Sequence, residues 1–304
     1  MPSHWPEQRI EPAGLASGAL SMTRRTATDH IALRSWHTVA VALIASMVLV
    51  LCSCADEREG KGEFLERSVE LYGVTYRYQV FVPARRFGGK RPVVVFLHGK
   101  GELGYDGRKP TLVGLGPHLR ANADTFPAIA VFPQAPDNTQ WTGEVSQIAL
   151  LALDATLLEF DAEPDRVYLT GLSMGALGTW LIGLEHPGRF AALVPVCNSL
   201  LARSAPKELD AGADGSPHVA WDPLLSAAPK LRDMPIWIFH GGQDDVVPPL
   251  HARRMFEILK SEKAVNVRYT EFPHANHNCW DSAYAGTSEL WPWLFAQQRS
   301  PRSG

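Results

Sequence analysis

A serine flanked by glycines is the feature of this sequence with the clearest chemical meaning. The motif Gly-Leu-Ser-Met-Gly at residues 171–175 directly follows the apolar run Val167–Thr170, which predicts a buried strand. Small and apolar residues from Ala176 to Leu184 predict a helix. A Gly-x-Ser-x-Gly motif between a strand and a helix is typical of a nucleophile elbow. We therefore interpret Ser173 as a catalytic nucleophile.

A serine hydroxyl needs a general base, and in this arrangement an acid and then a histidine follow the serine along the chain. Asp244 and Asp245 both follow a predicted strand, and we favour Asp244 as the acid. Among the histidines after the last predicted strand, we favour His277 over His274 as the base, because His277 lies deeper in its loop. The other histidines near this site are expected to make structural hydrogen bonds: His98, His240 and His274.

Backbone amides that could stabilise an oxyanion are expected in two places. One is the N–H of Met174, directly after the serine. The other is the N–H of Lys100, in the glycine-rich segment Leu97–Gly104 that follows the first long apolar run. Two such donors lower the barrier by about 3–4 kcal/mol each. The segment is not a dinucleotide fingerprint, because no third glycine opens a helix at the required spacing.

Three residues are candidates for substrate contact: Glu102, Trp141 and Trp280. Together with Trp221, the two tryptophans could line an aromatic or sugar-binding pocket, although for each tryptophan taken singly a position in the packed core is favoured. The polar segment Leu200–His218 lacks a clear period. It is either a loop that shapes the pocket or a surface excursion.

Composition narrows the class of protein. The chain has 304 residues, 45% hydrophobic and 20% charged, with a formal net charge of −3. This is typical of a globular protein and gives no basic excess for nucleic-acid binding. Neither His-Glu-x-x-His nor cysteine pairs with zinc spacing occur, so no metal site is predicted. A phosphate-binding loop is absent as well.

Alternating strand and helix patterns predict an α/β fold with a mostly parallel sheet and helices on both faces. An edge hairpin is expected around Tyr72-Gly73. Further strands are predicted at 92–97, 128–132, 191–196, 236–239 and 265–272. Further helices are predicted at 147–160, 250–259 and 290–297. Because ligand sites of such sheets lie at the carboxyl ends of the strands, these patterns predict one site.

The N-terminal region is expected to direct export. Val39–Leu51 is an apolar run of signal-peptide length, and it ends in Leu-Cys-Ser-Cys at residues 51–54. This tetrad resembles a bacterial lipoprotein cleavage site with Cys54 as the lipidated residue; a cleaved signal peptide or an uncleaved anchor is the alternative. The predicted division is a signal peptide at 1–53, a tether at 54–63, a catalytic domain at 64–298 and a tail at 299–304. The predicted location is a membrane-anchored lipoprotein facing the periplasm or at the cell surface.

Two cysteines, Cys197 and Cys279, remain in the globular part. Outside the cytoplasm they could form a disulfide. We favour two separate small buried residues, because one pair does not make a disulfide framework.

With these motifs in view, the sequence resembles α/β-hydrolase esterases, in the group of polyhydroxybutyrate-depolymerase-like and phospholipase/carboxylesterase-like enzymes. The resemblance extends from about Phe64 to Gln298 and implies an α/β-hydrolase fold with Asp244 as acid and His277 as base. Cys279 departs from the family's pattern, where a small polar residue is expected, and so does the long segment Leu200–His218. The segments that carry the resemblance are 97–102, 132–136 with Trp141, 165–175, 239–248 and 277–284.

The sequence therefore predicts a serine hydrolase that cleaves carboxylic esters through an acyl-enzyme, with no cofactor. Its expected partners are a small-molecule or polymer-borne ester and, through the lipid anchor, a membrane. A peptidase or thioesterase would use the same three side chains. A non-catalytic binding module that keeps the fold is the alternative from another class.

Overall fold

The computed structural model describes residues 60–200 and 223–299. The predicted signal peptide, the predicted lipidation site Cys54 and Trp221 lie outside the described residues. The segment Leu200–His218 is described only at Leu200.

The described residues form a single eight-stranded sheet in the order β1-β2-β4-β3-β5-β6-β7-β8. The pairs β1–β2 and β2–β4 are antiparallel, and the strands from β4 to β8 along this order are parallel. The strands are β1 Glu63–Leu71, β2 Val74–Val82, β3 Arg91–Leu97, β4 Ile129–Pro133, β5 Ala162–Leu172, β6 Ala192–Val196, β7 Ile236–Gly241 and β8 Val267–Phe272. The predicted fold class is confirmed.

The part of the chain that the structure describes contains seven α-helices, five between strands and two after β8. They are α1 Leu115–Ala121, α2 Glu144–Glu159, α3 Met174–Glu185, α4 Pro223–Leu231, α5 Pro249–Ser261, α6 Trp280–Tyr284 and α7 Leu290–Phe295. The sequence patterns predicted α2, α3, α5 and α7. They missed α1, α4 and α6, which have five to nine residues each.

The core lies on both faces of the sheet, as β3 shows. Val93, Val95 and Leu97 belong to one apolar cluster, and Val94 and Phe96 belong to the other. Successive side chains of a strand point to opposite faces, so a continuous apolar run is the pattern of a strand that is buried on both sides.

The predicted edge hairpin is present between β1 and β2. Its two central residues, Tyr72 and Gly73, have φ values of 51° and 77°. Positive φ at both central positions is the requirement of the tight hairpin turn whose twist matches the flanking strands.

Cys197 and Cys279 form a disulfide, with their Cα atoms 6.6 Å apart. The interpretation of two separate buried cysteines is therefore wrong. The parallel strands β6 and β8 end at the same edge of the sheet, and each cysteine follows one of them. Because the two residues are 82 positions apart in sequence, no local pattern indicates that they meet.

Two domain boundaries differ by one residue from the prediction. Glu63, assigned to the tether, begins β1. Arg299, assigned to the tail, donates from its backbone N–H to the carbonyl of Asp165 at 2.9 Å and from its side chain to the Asp165 carboxylate at 2.7 Å. The rest of the division stays a prediction.

Candidate active site

Ser173 lies in a strained turn between β5 and α3. Its φ and ψ are 52° and −118°, a region that non-glycine residues seldom occupy. A Cβ atom at Gly175 would overlap the carbonyl oxygen of Leu97, and one at Gly171 would overlap the carbonyl oxygen of Gly175. The turn is therefore possible only with glycine at both positions, and this explains the spacing of the motif.

The structure brings the three side chains of the predicted triad into one hydrogen-bonded chain. The Ser173 Oγ is 2.9 Å from His277 Nε2, and His277 Nδ1 is 2.8 Å from Asp244 Oδ2. Because an ionised carboxylate only accepts, Nδ1 of the ring carries the hydrogen and Nε2 is left to accept from the serine hydroxyl. This is the geometry in which a histidine can remove the serine proton.

Asp244 is fixed in place by its other carboxylate oxygen. Asp244 Oδ1 accepts the backbone N–H groups of Val246 at 2.9 Å and Val247 at 2.8 Å. The residue is 6% exposed. The competing carboxylate, Asp245, is exposed to solvent. The structure thus places Asp244, and not Asp245, beside His277.

The other histidines of this region differ from His277. His274 is exposed. His98 accepts the Ala135 N–H at 2.9 Å and donates to the carbonyl of Gly99 at 2.6 Å, while burial lowers its pKa to about 4. Burial also lowers the pKa of His240, whose Nδ1 is 3.2 Å from the carbonyl oxygen of Gly241. Both buried rings are therefore neutral near pH 7.

The two predicted oxyanion donors flank the serine. Met174 is the first residue of α3, and the first N–H groups of a helix have no partner within it. Lys100 begins a short 3₁₀ helix, Lys100–Glu102, after β3. Both residues line the same cleft as Ser173. An oxyanion at the serine would thus meet the positive end of the α3 dipole.

Ser173 opens into a cleft of about 460 Å³. Part of its wall is apolar and part carries neutral amide and hydroxyl groups. The lining residues are Lys100, Leu103, Asn138, Thr139, Gln140, Ser173, Met174, Leu177, Asn198 and Val247. A pocket of this kind can hold a small ligand with both polar and apolar parts.

The profile of the Peptidase_S9 family, the prolyl oligopeptidase family, matches residues 138–298. The chain belongs to the prolyl oligopeptidase family. The matched region contains all three side chains of the hydrogen-bonded chain. The resemblance to α/β-hydrolase esterases is also confirmed, by the similarity of the chain to the depolymerase and the esterase described next.

Among curated proteins, this prolyl oligopeptidase family member is 30% identical over 129 residues to poly(3-hydroxyalkanoate) depolymerase C of Paucimonas lemoignei. The match covers 40% of this chain and 31% of the depolymerase. The chain thus spans less than a third of that relative.

Solved structures similar to this family member include a thermostable esterase, with a TM-score of 0.62 and 28% identity over 78% of this chain and 63% of that one. Another is the acylaminoacyl peptidase of Pyrococcus horikoshii, with a TM-score of 0.58 and 17% identity over 81% of this chain and 43% of that one. The second likeness shows the fold alone.

The two tryptophans predicted to contact substrate differ in how deeply they are buried. Trp141 is 1% exposed and its indole N–H donates to the carbonyl of His98 at 3.0 Å, so its assignment to the substrate pocket is wrong. It packs beneath the loop instead, because that carbonyl provides the partner that a buried indole needs. Trp280 is half-buried, and its ring contacts His277 edge to face, with centroids 5.7 Å apart.

Glu102 is half-buried, and burial raises the pKa of its carboxyl group. A Cβ atom at Gly99 would lie 3.4 Å from the Glu102 carboxylate and 3.6 Å from Ser173 Cβ. The carboxylate is therefore near the nucleophile, although it does not line the cleft. Its role in substrate binding stays a prediction.

Sequence reasoning missed Asn198 and the segment Asn138–Gln140, which line the cleft. Asn198 follows β6 and donates from Nδ2 to the carbonyl of Ser173 at 2.9 Å. Both segments come after strands, so the rule that ligand-binding residues follow parallel strands could have found them.

Among residues 60–200 and 223–299, no group of three or more His, Cys, Asp or Glu side chains could hold a metal ion. Within the same ranges, no helix has both the length and the apolar character needed to span a bilayer.

Proposed function

We propose that this protein hydrolyses carboxylic esters through a serine acyl-enzyme. The observation that carries the proposal is the hydrogen-bonded chain from Ser173 Oγ through His277 to Asp244, which opens into the cleft at the start of α3. Support also comes from the likeness to a thermostable esterase and to a poly(3-hydroxyalkanoate) depolymerase.

In this proposal Ser173 Oγ attacks the ester carbonyl while His277 Nε2 takes its proton. The oxyanion of the tetrahedral intermediate accepts hydrogen bonds from the N–H groups of Met174 and Lys100. His277 then gives the proton to the departing alkoxide, and the acyl group remains on Ser173. Water attacks the acyl-enzyme with His277 again as the base, and the acid leaves. Asp244 keeps the ring oriented and stabilises its protonated form.

The test is hydrolysis of chromogenic esters, from acetyl to dodecanoyl and with one feruloyl ester, by the full chain and by its Ser173→Ala variant. We expect turnover by the native chain and a fall in kcat of about 10⁴-fold or more in the variant. Equal turnover by both proteins would reject Ser173 as the nucleophile. Inertness of both towards all esters would reject the ester assignment.

A peptidase is the second candidate, because the matching family is the prolyl oligopeptidase family. The same side chains would then attack an amide carbonyl, and His277 would protonate a leaving amine. Chromogenic anilides of blocked peptides distinguish the two candidates. A higher kcat/KM on anilides than on every ester would favour the peptidase.

We further propose that the protein is exported and anchored by a lipid on Cys54. The disulfide between Cys197 and Cys279 supports export, because disulfides persist in oxidising compartments. The protein should partition into the detergent phase of a detergent extraction, and its Cys54→Ala variant should partition into the aqueous phase. Aqueous partitioning of both proteins would reject the anchor.

A further inference from the structure

The disulfide lies beside the predicted base. Cys197 directly follows β6, and Cys279 comes two residues after His277. Both cysteines are fully buried. Strands β6 and β8 are not neighbours, since β7 lies between them in the sheet. The disulfide therefore joins two loops that the strand pairing of the sheet does not join directly.

A hydrogen bond at or next to each end of the disulfide leads to one member of the Ser173–His277 pair. The backbone N–H of Cys279 donates to the carbonyl of His277 at 3.0 Å. At the other end, the residue next to Cys197 is Asn198, whose side chain donates to the carbonyl of Ser173 at 2.9 Å. The path from His277 to Ser173 thus runs through a hydrogen bond to Cys279, the disulfide, the peptide link from Cys197 to Asn198 and a second hydrogen bond.

Cys197 itself is held in an unusual conformation. Its φ is 61°, in the left-handed region that residues with a Cβ seldom adopt. Its backbone N–H donates to the carbonyl of Phe239 in β7 at 2.9 Å. This bond and the disulfide hold Cys197 through both its backbone and its side chain. Its sulfur therefore gives the loop that carries His277 a fixed point of attachment.

The acid and the base are joined in another way. Two backbone hydrogen bonds, each of 2.9 Å, connect the loop after β7 to the loop after β8: Gly242 N–H to Phe272 O and Gln243 N–H to Ala275 O. These bonds keep Asp244 near His277 whether or not the disulfide is present. Between His277 and Ser173 no backbone hydrogen bond of this kind is direct, because two strands separate β5 from β8. The backbone bonds there run stepwise, from the Ser173 N–H to Val196 O and from the Cys197 N–H to Phe239 O.

We propose that the Cys197–Cys279 disulfide is a positioning element, which holds His277 Nε2 within hydrogen-bonding distance of Ser173 Oγ. The proposal rests on the proposed function of Ser173 and His277. It assigns the two cysteines a role in kcat and not in substrate binding, because neither sulfur lines the cleft.

The test compares the full native chain with the double variant Cys197→Ala/Cys279→Ala. We expect kcat on the best ester to fall at least tenfold while KM changes less than twofold. The matched control is Leu153→Ala, which removes a fully buried core side chain from α2 and should leave kcat unchanged. All three proteins are assayed at a temperature at which circular dichroism shows them folded, so a loss of stability alone does not change kcat.

A crystal structure of the double variant provides a readout that does not depend on turnover. We expect the Ser173 Oγ to His277 Nε2 distance to exceed 3.5 Å, while His277 keeps its bond to Asp244. An unchanged distance together with a native kcat would overturn the proposal. If the native chain hydrolyses no ester but the distance still increases in the variant, the proposed function fails and the positioning role stands. Should the double alanine variant not fold, Cys197→Ala/Cys279→Val restores most of the lost volume and is tested in the same way.

Discussion

The turn that carries Ser173 and the loop that carries His277 are positioned by different kinds of force. The serine turn is fixed by steric exclusion, since side chains at Gly171 and Gly175 would overlap backbone carbonyls. The histidine loop is fixed by bonds from distant parts of the chain, above all the carboxylate of Asp244 and the disulfide. A backbone position that is fixed by steric exclusion can be predicted from adjacent residues in the sequence. A position that is fixed by long-range bonds cannot.

Substitutions in the two regions are therefore expected to have different effects. A change in the serine turn disturbs the backbone of β5 and α3 and is expected to reduce the free energy of unfolding. A change among the groups that orient His277 is expected to reduce kcat while the fold persists. The predictions below test this division.

The largest effect is expected for Asp244→Asn. An amide in place of the carboxylate can donate to His277 and favours the wrong tautomer of the ring, so kcat should fall about 10⁴-fold. The matched control is Asp245→Asn, an exposed neighbour that should keep native kcat. Steady-state kinetics on one ester decide the matter, and equal losses in both variants would contradict the assignment of the acid.

A large loss of stability is expected for Gly175→Ala. The added Cβ would overlap the carbonyl oxygen of Leu97, and a backbone clash of this kind costs about 4 kcal/mol or more in the free energy of unfolding. The control is Gly101→Ala, where no atom lies within 4 Å of an added Cβ. Denaturant titrations of both variants measure the difference, and similar midpoints would show that the serine turn is not fixed by sterics.

His98, which directly follows β3, should make the free energy of unfolding depend on pH. Burial lowers its pKa from 6.5 to about 4, against the opposing influences of the hydrogen bond to the Gly99 carbonyl and of the Asp106 charge. Below pH 6.5 the unfolded chain therefore binds a proton that the folded chain rejects. This contribution to stability is complete above pH 6.5 and falls by about 3 kcal/mol as the pH drops to 4.

The measurement is the free energy of unfolding at several pH values between 4 and 7, for the native chain and for His98→Gln. The variant should show a shallower slope in this range. Some slope will remain, because burial also lowers the pKa of His118, His240 and His251. Identical slopes in the two proteins would exclude His98 as a source of the pH dependence.

The smallest effect is expected for Asn198→Ala. The variant loses the hydrogen bond to the Ser173 carbonyl, which also accepts the N–H groups of Ala176 and Leu177. It also loses the bond that the Asn198 Oδ1 accepts from the Ser199 N–H at 2.7 Å. The cost should be about 2 kcal/mol in the free energy of unfolding, at about 1 kcal/mol for each bond. The control is Asn278→Ala, which loses only an exposed hydrogen bond to Asp281 at 3.1 Å and should change the free energy of unfolding less. A cost well above that of Gly175→Ala would reverse the comparison between the two loops.

The same division explains what the sequence could predict. The alternation of strands and helices, the edge hairpin and the serine motif are local patterns, and each was identified from neighbouring residues. The pairing of Cys197 with Cys279 was not identified, because it depends on the order β6-β7-β8 in the sheet and not on any spacing in the chain. Trp141 was placed in the substrate pocket because a sequence does not show which side of a loop an indole faces.

The covalent link between the ends of β6 and β8 also changes what a protease could do to this protein. The disulfide closes a ring that contains every residue from 198 to 278. A single cut anywhere in that ring leaves both fragments joined through sulfur. A nicked molecule would therefore migrate as one band on a gel until a reducing agent separated its two pieces.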